Sequence, residues 1–285
     1  MRTNSAAFGS AVSEPAWAKI NLTLHVTGQR SDGYHLLDSL VVRAAVGDTL
    51  SVAASSELEL YVDGPYADAA PLDDRNLVIR AARLLDPDGT RGARLLLTKV
   101  LPAAAGIGGG SADAATALKL LSHHWDIPLP KDVASLGADV SVCLHDGPQR
   151  MRGVGELLTP VPPLPPCWLV LVNPNKSVST PDVFKRLVSR HNEPMPDSIP
   201  AFDSAQGFAA WLSTQRNDLE QAALGVVPDI AACLAALDDA LLARMSGSGA
   251  TCFGLYASEQ AANHAAGRID HAHPDWWVTA AEVLR

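Results

Sequence analysis

Between residues 102 and 112 the chain reads PAAAGIGGGSA, which sets four glycines and a serine against an alanine-rich run without a helix breaker. Apolar residues at 114, 115, 118 and 121 recur at helical spacing, so Gly106–Ser111 is expected at a helix N-terminus. Unpaired backbone N–H groups collect there and suit an anion. A Walker-type loop is excluded, because no lysine follows the glycines to reach the phosphates. A dinucleotide loop is approached by Gly106, Gly108 and Ser111, but the loop comes only after consecutive strands, and Asp126 follows HHW rather than ending an apolar strand. A plain glycine turn capped by Ser111 is the structural alternative. The density of glycine at 106, 108, 109 and 110 favours a loop whose bare N–H groups a bulky anion approaches closely.

The overall charge leaves room for a small anionic ligand, which would have to be held by local devices. The net charge of −9 works against a sequence-independent nucleic-acid surface, which needs clustered Lys and Arg. With 47% hydrophobic and 19% charged residues and no apolar run long enough to span a bilayer, the chain reads as soluble, with no membrane partner. The N-terminal segment lacks a continuous apolar stretch of the secretory kind, and its small residues suggest a loose tail. Cys143, Cys167, Cys233 and Cys252 lie far apart without metal-ligand spacing, which points to a reduced, cytoplasmic protein without structural zinc.

The elements that must position the loop are mixed. WAKINLTLHVT alternates, with Ala18, Ile20, Leu22, Leu24 and Val26 on one face and Trp17, Lys19, Asn21, Thr23 and His25 on the other, as in a half-buried strand with a wet polar face. Further strands are expected at SLVVRAAV, DTLSVAA, LELYV and ARLLLTKVL, with one helix near 76–85 among them. At 160–166 five prolines in PVPPLPP set the best domain boundary, giving domains 1–162 and 163–285. Beyond it come a buried strand WLVLVNP, a helix capped by Thr180 with Pro181 at its first position, helical runs at 217–224 and 228–242, a glycine-serine turn MSGSGAT entering a strand, a helix near 259–270 and a last strand WWVTAAEVL. Strands and helices mix without regular alternation, so the fold class is α+β.

The loop LPAAAGIGGGSADAA resembles the phosphate-binding motif of the GHMP kinases, the superfamily of galactokinase and the homoserine, mevalonate and phosphomevalonate kinases. PAWAKINLTLHVTGQRSDGYH, LGADVSVCL, GVGELL and RMSGSGATCF extend the likeness, supported by NPNKSVSTPDVFKR and RNDLE, over nearly the whole chain. The pattern AKINLxLxVxGxRxDGYH narrows it to the branch acting on a cytidine-diphosphate-linked methylerythritol in the non-mevalonate route to isoprenoid precursors. Another small-alcohol kinase of the superfamily, or a non-catalytic nucleotide-binding protein, is the alternative. The chain departs from the family at Ser141, where proline is usual, at Asp146, where glycine usually precedes Gly147, in a shorter segment before LGAD, and at Asn175, near which glycine is frequent.

The resemblance implies a two-domain α+β fold: an N-terminal ribosomal-protein-S5-like ATP domain, a ferredoxin-like C-terminal domain and an active site in the cleft between them. It makes Lys19 and Asp139 the catalytic pair. Asp139 would take the proton of the acceptor hydroxyl, with positioning counting for more than basicity, and Lys19 would orient that hydroxyl and offset charge on the transferred group. ATP would rest on Pro102, Ala103, Ala104, Ala105, Gly106, Ile107, Gly108, Gly109, Gly110, Ser111 and Ala112, with Mg2+ held mainly by the phosphates and Ser111 a possible ligand. The acceptor would meet Asn21, Tyr34, His35, Thr180 and Phe184, with the base stacked on aromatic rings. From spacing alone, Lys19 and Asn21 suit a wet strand face, Asp139 a cap, and Phe184 a core position shared with Val183, Leu187 and Val188. The SGSGAT turn at 246–251 would close over phosphates or acceptor.

Overall fold

The computed structural model describes residues 11–285. The reading of the N-terminal segment falls mostly outside that range. The described residues form two compact units, each assembled from several segments: unit one takes 11–18, 46–103 and 108–144, and unit two takes 19–45, 104–107 and 145–285. The proline-rich stretch 160–166 lies within unit two.

Strand β1 (Val12–Asn21) is followed by β2 (His25–Gln29) and by β3 (His35–Ala53), one continuous strand where the sequence suggests two. Unit one continues with β4 (Leu58–Asp63), α1 (Leu77–Leu85), β5 (Ala93–Thr98), α2 (Gly109–Trp125) and α3 (Val140–Leu144). β5 lies between β4, which runs parallel to it, and the end of β3, which runs antiparallel. Its alternation buries Ala93, Leu95 and Leu97, the period-2 signature of a sheet with one covered face. α1 starts where Asn76 caps it, the Oδ1 accepting from Val78 N at 2.9 Å. Its buried Val78, Ala81, Ala82 and Leu85 form the apolar stripe expected of a surface helix.

In unit two β6 (Gln149–Gly153) and β7 (Leu157–Pro160) form a hairpin on the first half of β3. β8 (Trp168–Asn173) runs at the centre of an antiparallel sheet, between β10 (Cys252–Tyr256) and β11 (Trp277–Leu284), with β9 (Leu242–Met245) beside β10. The sheet core of Val170, Val172 and Cys252 joins Ile230, Cys233, Ala262, Ala265 and Ile269 from the helices α7 (Asp229–Ala236) and α8 (Glu259–Ala272). The unit also carries the helices α4 (Thr180–Lys185), α5 (Ala205–Ser213) and α6 (Glu220–Leu224).

The α+β expectation holds, and the differences have local causes. The polar face of WAKINLTLHVT is buried: Lys19, Asn21, Thr23 and His25 are each below 5% exposed, because their polar groups find partners inside the protein. The helical run expected over 228–242 ends at Ala236, and only its final residue, Leu242, enters β9 beside β10. α4 is capped one residue earlier than the sequence suggests, with Ser179 at the cap, Thr180 first and Pro181 second. Among the described residues all four cysteines are free and buried, and no helix is long and apolar enough to cross a membrane.

Candidate active site

Asn21 ends β1 and gathers polar contacts around it. The Lys19 Nζ donates to Asn21 Oδ1 at 2.8 Å, and Asn21 Nδ2 donates to the Ser39 hydroxyl at 2.8 Å. The two residues share a strand face, two apart, so one orients the other. Burying an ammonium costs several kcal/mol unless its charge is used or matched, so a lysine held at 4% exposure is a placed charge. Its backbone N–H donates to the Ile107 carbonyl of the glycine loop at 2.9 Å. Asn21 N–H donates to the Ser246 hydroxyl at 3.0 Å, and that hydroxyl donates to the Gly106 carbonyl at 3.0 Å. Within unit two, then, the lysine, the start of the loop and the SGSG turn are one hydrogen-bonded assembly.

The glycines of the loop have different reasons to be glycine. Gly106 sits at φ +75, and a Cβ there would lie 2.5 Å from Ser246 O and 2.8 Å from Gly249 N, so the neighbouring backbone demands it. Gly108 holds a left-handed φ of 65 at the cap of α2. Gly109 and Gly110 are otherwise: the nearest atom to an added Cβ is 3.6 Å away at each, ordinary van der Waals contact, and both have helical backbone. The protein itself has room for side chains there. Ala112 N makes the first helical bond, to Gly108 O, which leaves the N–H groups of Gly109, Gly110 and Ser111 without intrahelical acceptors. The anion argument thus survives for two of the four glycines, while packing accounts for Gly106.

Asp139 stands in unit one, half-buried, immediately before α3, and its carbonyl accepts from Cys143 N at 3.3 Å. Unit one also holds a buried triad that spacing alone does not announce. Lys99 Nζ donates to Asp113 Oδ2 at 2.7 Å and, at shorter range, to Asp48 Oδ2, while Asp48 Oδ1 accepts from Val100 N at 2.6 Å and Leu101 N at 2.9 Å. Asp48 thereby pins the chain just before Pro102, and Asp113 lies early in α2, so the triad braces both flanks of the loop. Burial pushes the Asp113 carboxyl up to about 7, with Lys99 pulling against it.

The residues expected to meet the acceptor all fall in unit two. His35 and Phe184 stack with ring centroids 4.4 Å apart at 21°. Phe184 also packs at the edge of the apolar cluster, which combines the core and platform readings. Of its expected core companions, Val183 and Leu187 are buried, whereas Val188 is fully exposed. Tyr34 is 64% exposed in the turn before β3. Burial and then the charge of Arg190 hold the His35 imidazole below its usual range. The Thr180 hydroxyl bonds the Ser248 hydroxyl at 2.7 Å, joining the start of α4 to the SGSG turn.

Family models match in both halves: GHMP kinases N terminal domain over 76–150 and GHMP kinases C terminal over 199–275. A 4-diphosphocytidyl-2-C-methyl-D-erythritol kinase of Cereibacter sphaeroides is 58% identical over 275 residues, covering 94% of this chain and 98% of the relative. The chain belongs to the 4-diphosphocytidyl-2-C-methyl-D-erythritol kinases. A crystal structure of a 4-(cytidine 5'-diphospho)-2C-methyl-D-erythritol kinase superposes with a TM-score of 0.75 at 32% identity, covering 96% of this chain and all of that one. A homoserine kinase from Cytophaga hutchinsonii follows at 0.69 and 18% identity, a likeness of fold alone. As a GHMP kinase, the protein is an ATP-dependent small-molecule kinase.

Its departures from the kinase family pattern are accommodated. Asn175 adopts φ +54, a conformation asparagine tolerates better than most residues, and its N–H donates to Asn173 Oδ1 at 2.8 Å. Asp146 forms an ion pair with Arg43 at 3.1 Å. Ser141 is the second residue of the short helix α3, in the first turn, where the proline usual in the family would also fit. The RNDLE motif becomes legible as scaffold: Asn217 Nδ2 donates to the carbonyls of Met245 and Gly247 at 2.8 and 2.9 Å, and Asp218 accepts from Val26 N at 2.7 Å. Sequence reading missed Ser39, the Lys99 triad and Arg190. The aspartate in SADAA, following a lysine just before LPAAAG, is the signal that could have found the triad.

Proposed function

We propose that this kinase transfers the γ-phosphoryl group of ATP to the 2-hydroxyl of 4-diphosphocytidyl-2-C-methyl-D-erythritol by direct in-line displacement, within the non-mevalonate supply of isoprenoid precursors. The observation that carries the chemistry is the buried Lys19 ammonium, oriented by Asn21 and tied through its own backbone to the glycine loop. Gly109, Gly110 and Ser111 offer N–H groups to the donor's phosphates. Asp139 accepts the proton of the attacking hydroxyl, and Lys19 orients that oxygen and offsets charge on the transferred group. No covalent intermediate on the enzyme is needed. Magnesium held on the phosphates would neutralise part of their charge, and the half-buried Ser111 hydroxyl in the first turn of α2 fits such a hydrated, phosphate-bound ion. Tyr34, His35, Asn21, Thr180 and Phe184 take the acceptor, with the rings of His35 and Phe184 as its base platform. The division at 162/163 sets an N-terminal apart from a C-terminal domain, and the two family models fall on either side of it.

The test is ADP release by the purified protein with Mg-ATP and, in turn, the cytidylyl acceptor, homoserine and mevalonate. Turnover with the cytidylyl acceptor alone is expected. Turnover with either of the other alcohols, or with none, overturns the reading.

A further inference from the structure

Arg190 follows Phe184 by six residues and differs from the other buried or half-buried arginines of unit two. Arg150 is neutralised by Asp38 at 2.7 Å and Arg216 by Asp218 at 2.6 Å. Arg190 enters no ion pair or hydrogen bond among the described residues, and its Nε is buried without a partner. It stands close enough to His35 for its charge to bear on the imidazole, and no carboxylate acts on that ring alongside it. The His35 Nε2 is likewise buried without a partner. Two buried, unsatisfied nitrogens thus occur together beside a stacked ring pair, in a chain whose net charge is −9.

Leaving such groups unpaired costs free energy, so their occurrence together calls for a ligand. An aromatic face flanked by an uncompensated guanidinium is complementary to a nucleotide, with the base on the rings and the phosphates on the cation. A guanidinium presents paired N–H donors to phosphate oxygens in a fixed fork, which a lysine does not.

We propose that Arg190 binds the diphosphate of the acceptor's cytidylyl group and so sets the enzyme's preference for a nucleotide-linked alcohol over a free one. The inference rests on the acceptor reading above. Its experiment measures binding of cytidine, CMP and CDP to the intact protein by calorimetry, for wild type, Arg190→Gln and Arg190→Lys, with melting curves to confirm folding.

A charged hydrogen bond predicts that Arg190→Gln weakens CDP roughly 10- to 150-fold and leaves cytidine unchanged, with Arg190→Lys recovering part of the loss. In turnover the acceptor KM rises while kcat and the KM for ATP stay near wild type. If cytidine weakens as much as CDP, Arg190 reads the base and the phosphate assignment falls. If neither changes, Arg190 lies outside the site. A wild-type protein that binds none of the three ligands would instead remove the cytidylyl acceptor itself, an outcome separate from the failure of Arg190.

Discussion

Replacing Lys99 with methionine keeps the length of the side chain and deletes the one cation between two buried carboxylates. Lys99, Asp48 and Asp113 are all buried, and the ammonium bonds both acids. Removing one member of a buried ion-pair set costs about 3–5 kcal/mol, because the remaining charges face each other unscreened. At roughly 2–4 °C per kcal/mol for a chain of this size, the melting temperature should drop by about 6–20 °C. The pH dependence tests the same reasoning separately. Burial raises Asp113 to about 7 in the folded protein against an ordinary value of 3.8. A carboxyl raised by folding favours the folded state most below its unfolded value, and that contribution is lost as pH rises through about 7. Wild type should therefore lose stability between about pH 4 and 7 through this group, and Asp113→Asn should flatten that slope. In Lys99→Met the carboxyl loses the charge that pulls it down, so the deficit should be larger at pH 8 than at pH 6. Melting curves followed by circular dichroism at both pH values give the answer. A Lys99→Met protein within about 1 kcal/mol of wild type, or an unchanged slope in Asp113→Asn, would refute the account of the triad as a stressed brace for the loop.

The two kinds of loop glycine should separate on substitution. Gly110→Ala has room for its Cβ and should keep or gain up to about 1 kcal/mol of stability while the KM for ATP rises at least tenfold. Gly106→Ala meets backbone at 2.5 Å and should instead melt markedly lower, which denaturant titration reads directly. Asp139→Asn should leave ATP and acceptor binding within a few-fold while turnover falls about 10²–10⁴-fold in the ADP-release assay; wild-type turnover would remove Asp139 from the mechanism. Tyr34→Ala combined with Phe184→Leu, the leucine preserving cover for the apolar cluster, should raise the acceptor KM and spare ATP binding. An unchanged KM would count against the aromatic platform.

The sequence by itself determined the elements and the chemistry that local pattern encodes. Alternation in ARLLLT marks β5, Asn76 before an apolar stripe marks the start of α1, and the glycine loop marks the free N–H groups at α2, because each depends on residues within a few positions of one another. The family motifs added the assignments of Lys19 and Asp139. What spacing could not supply was the setting of those groups. Alternation alone makes Lys19 and Asn21 a solvated strand face, and only tertiary packing buries them, with Ser39 and Ser246 satisfying the asparagine across gaps of 18 and 225 residues. The same holds for glycine: local pattern says that 106 and 110 are flexible, but the reason Gly106 must be glycine is the backbone of a turn 140 residues away. Burial, desolvation and the pairing of polar groups are properties of atoms brought together in space, so the Lys99 triad and the uncompensated Arg190 emerge only once the chain is folded.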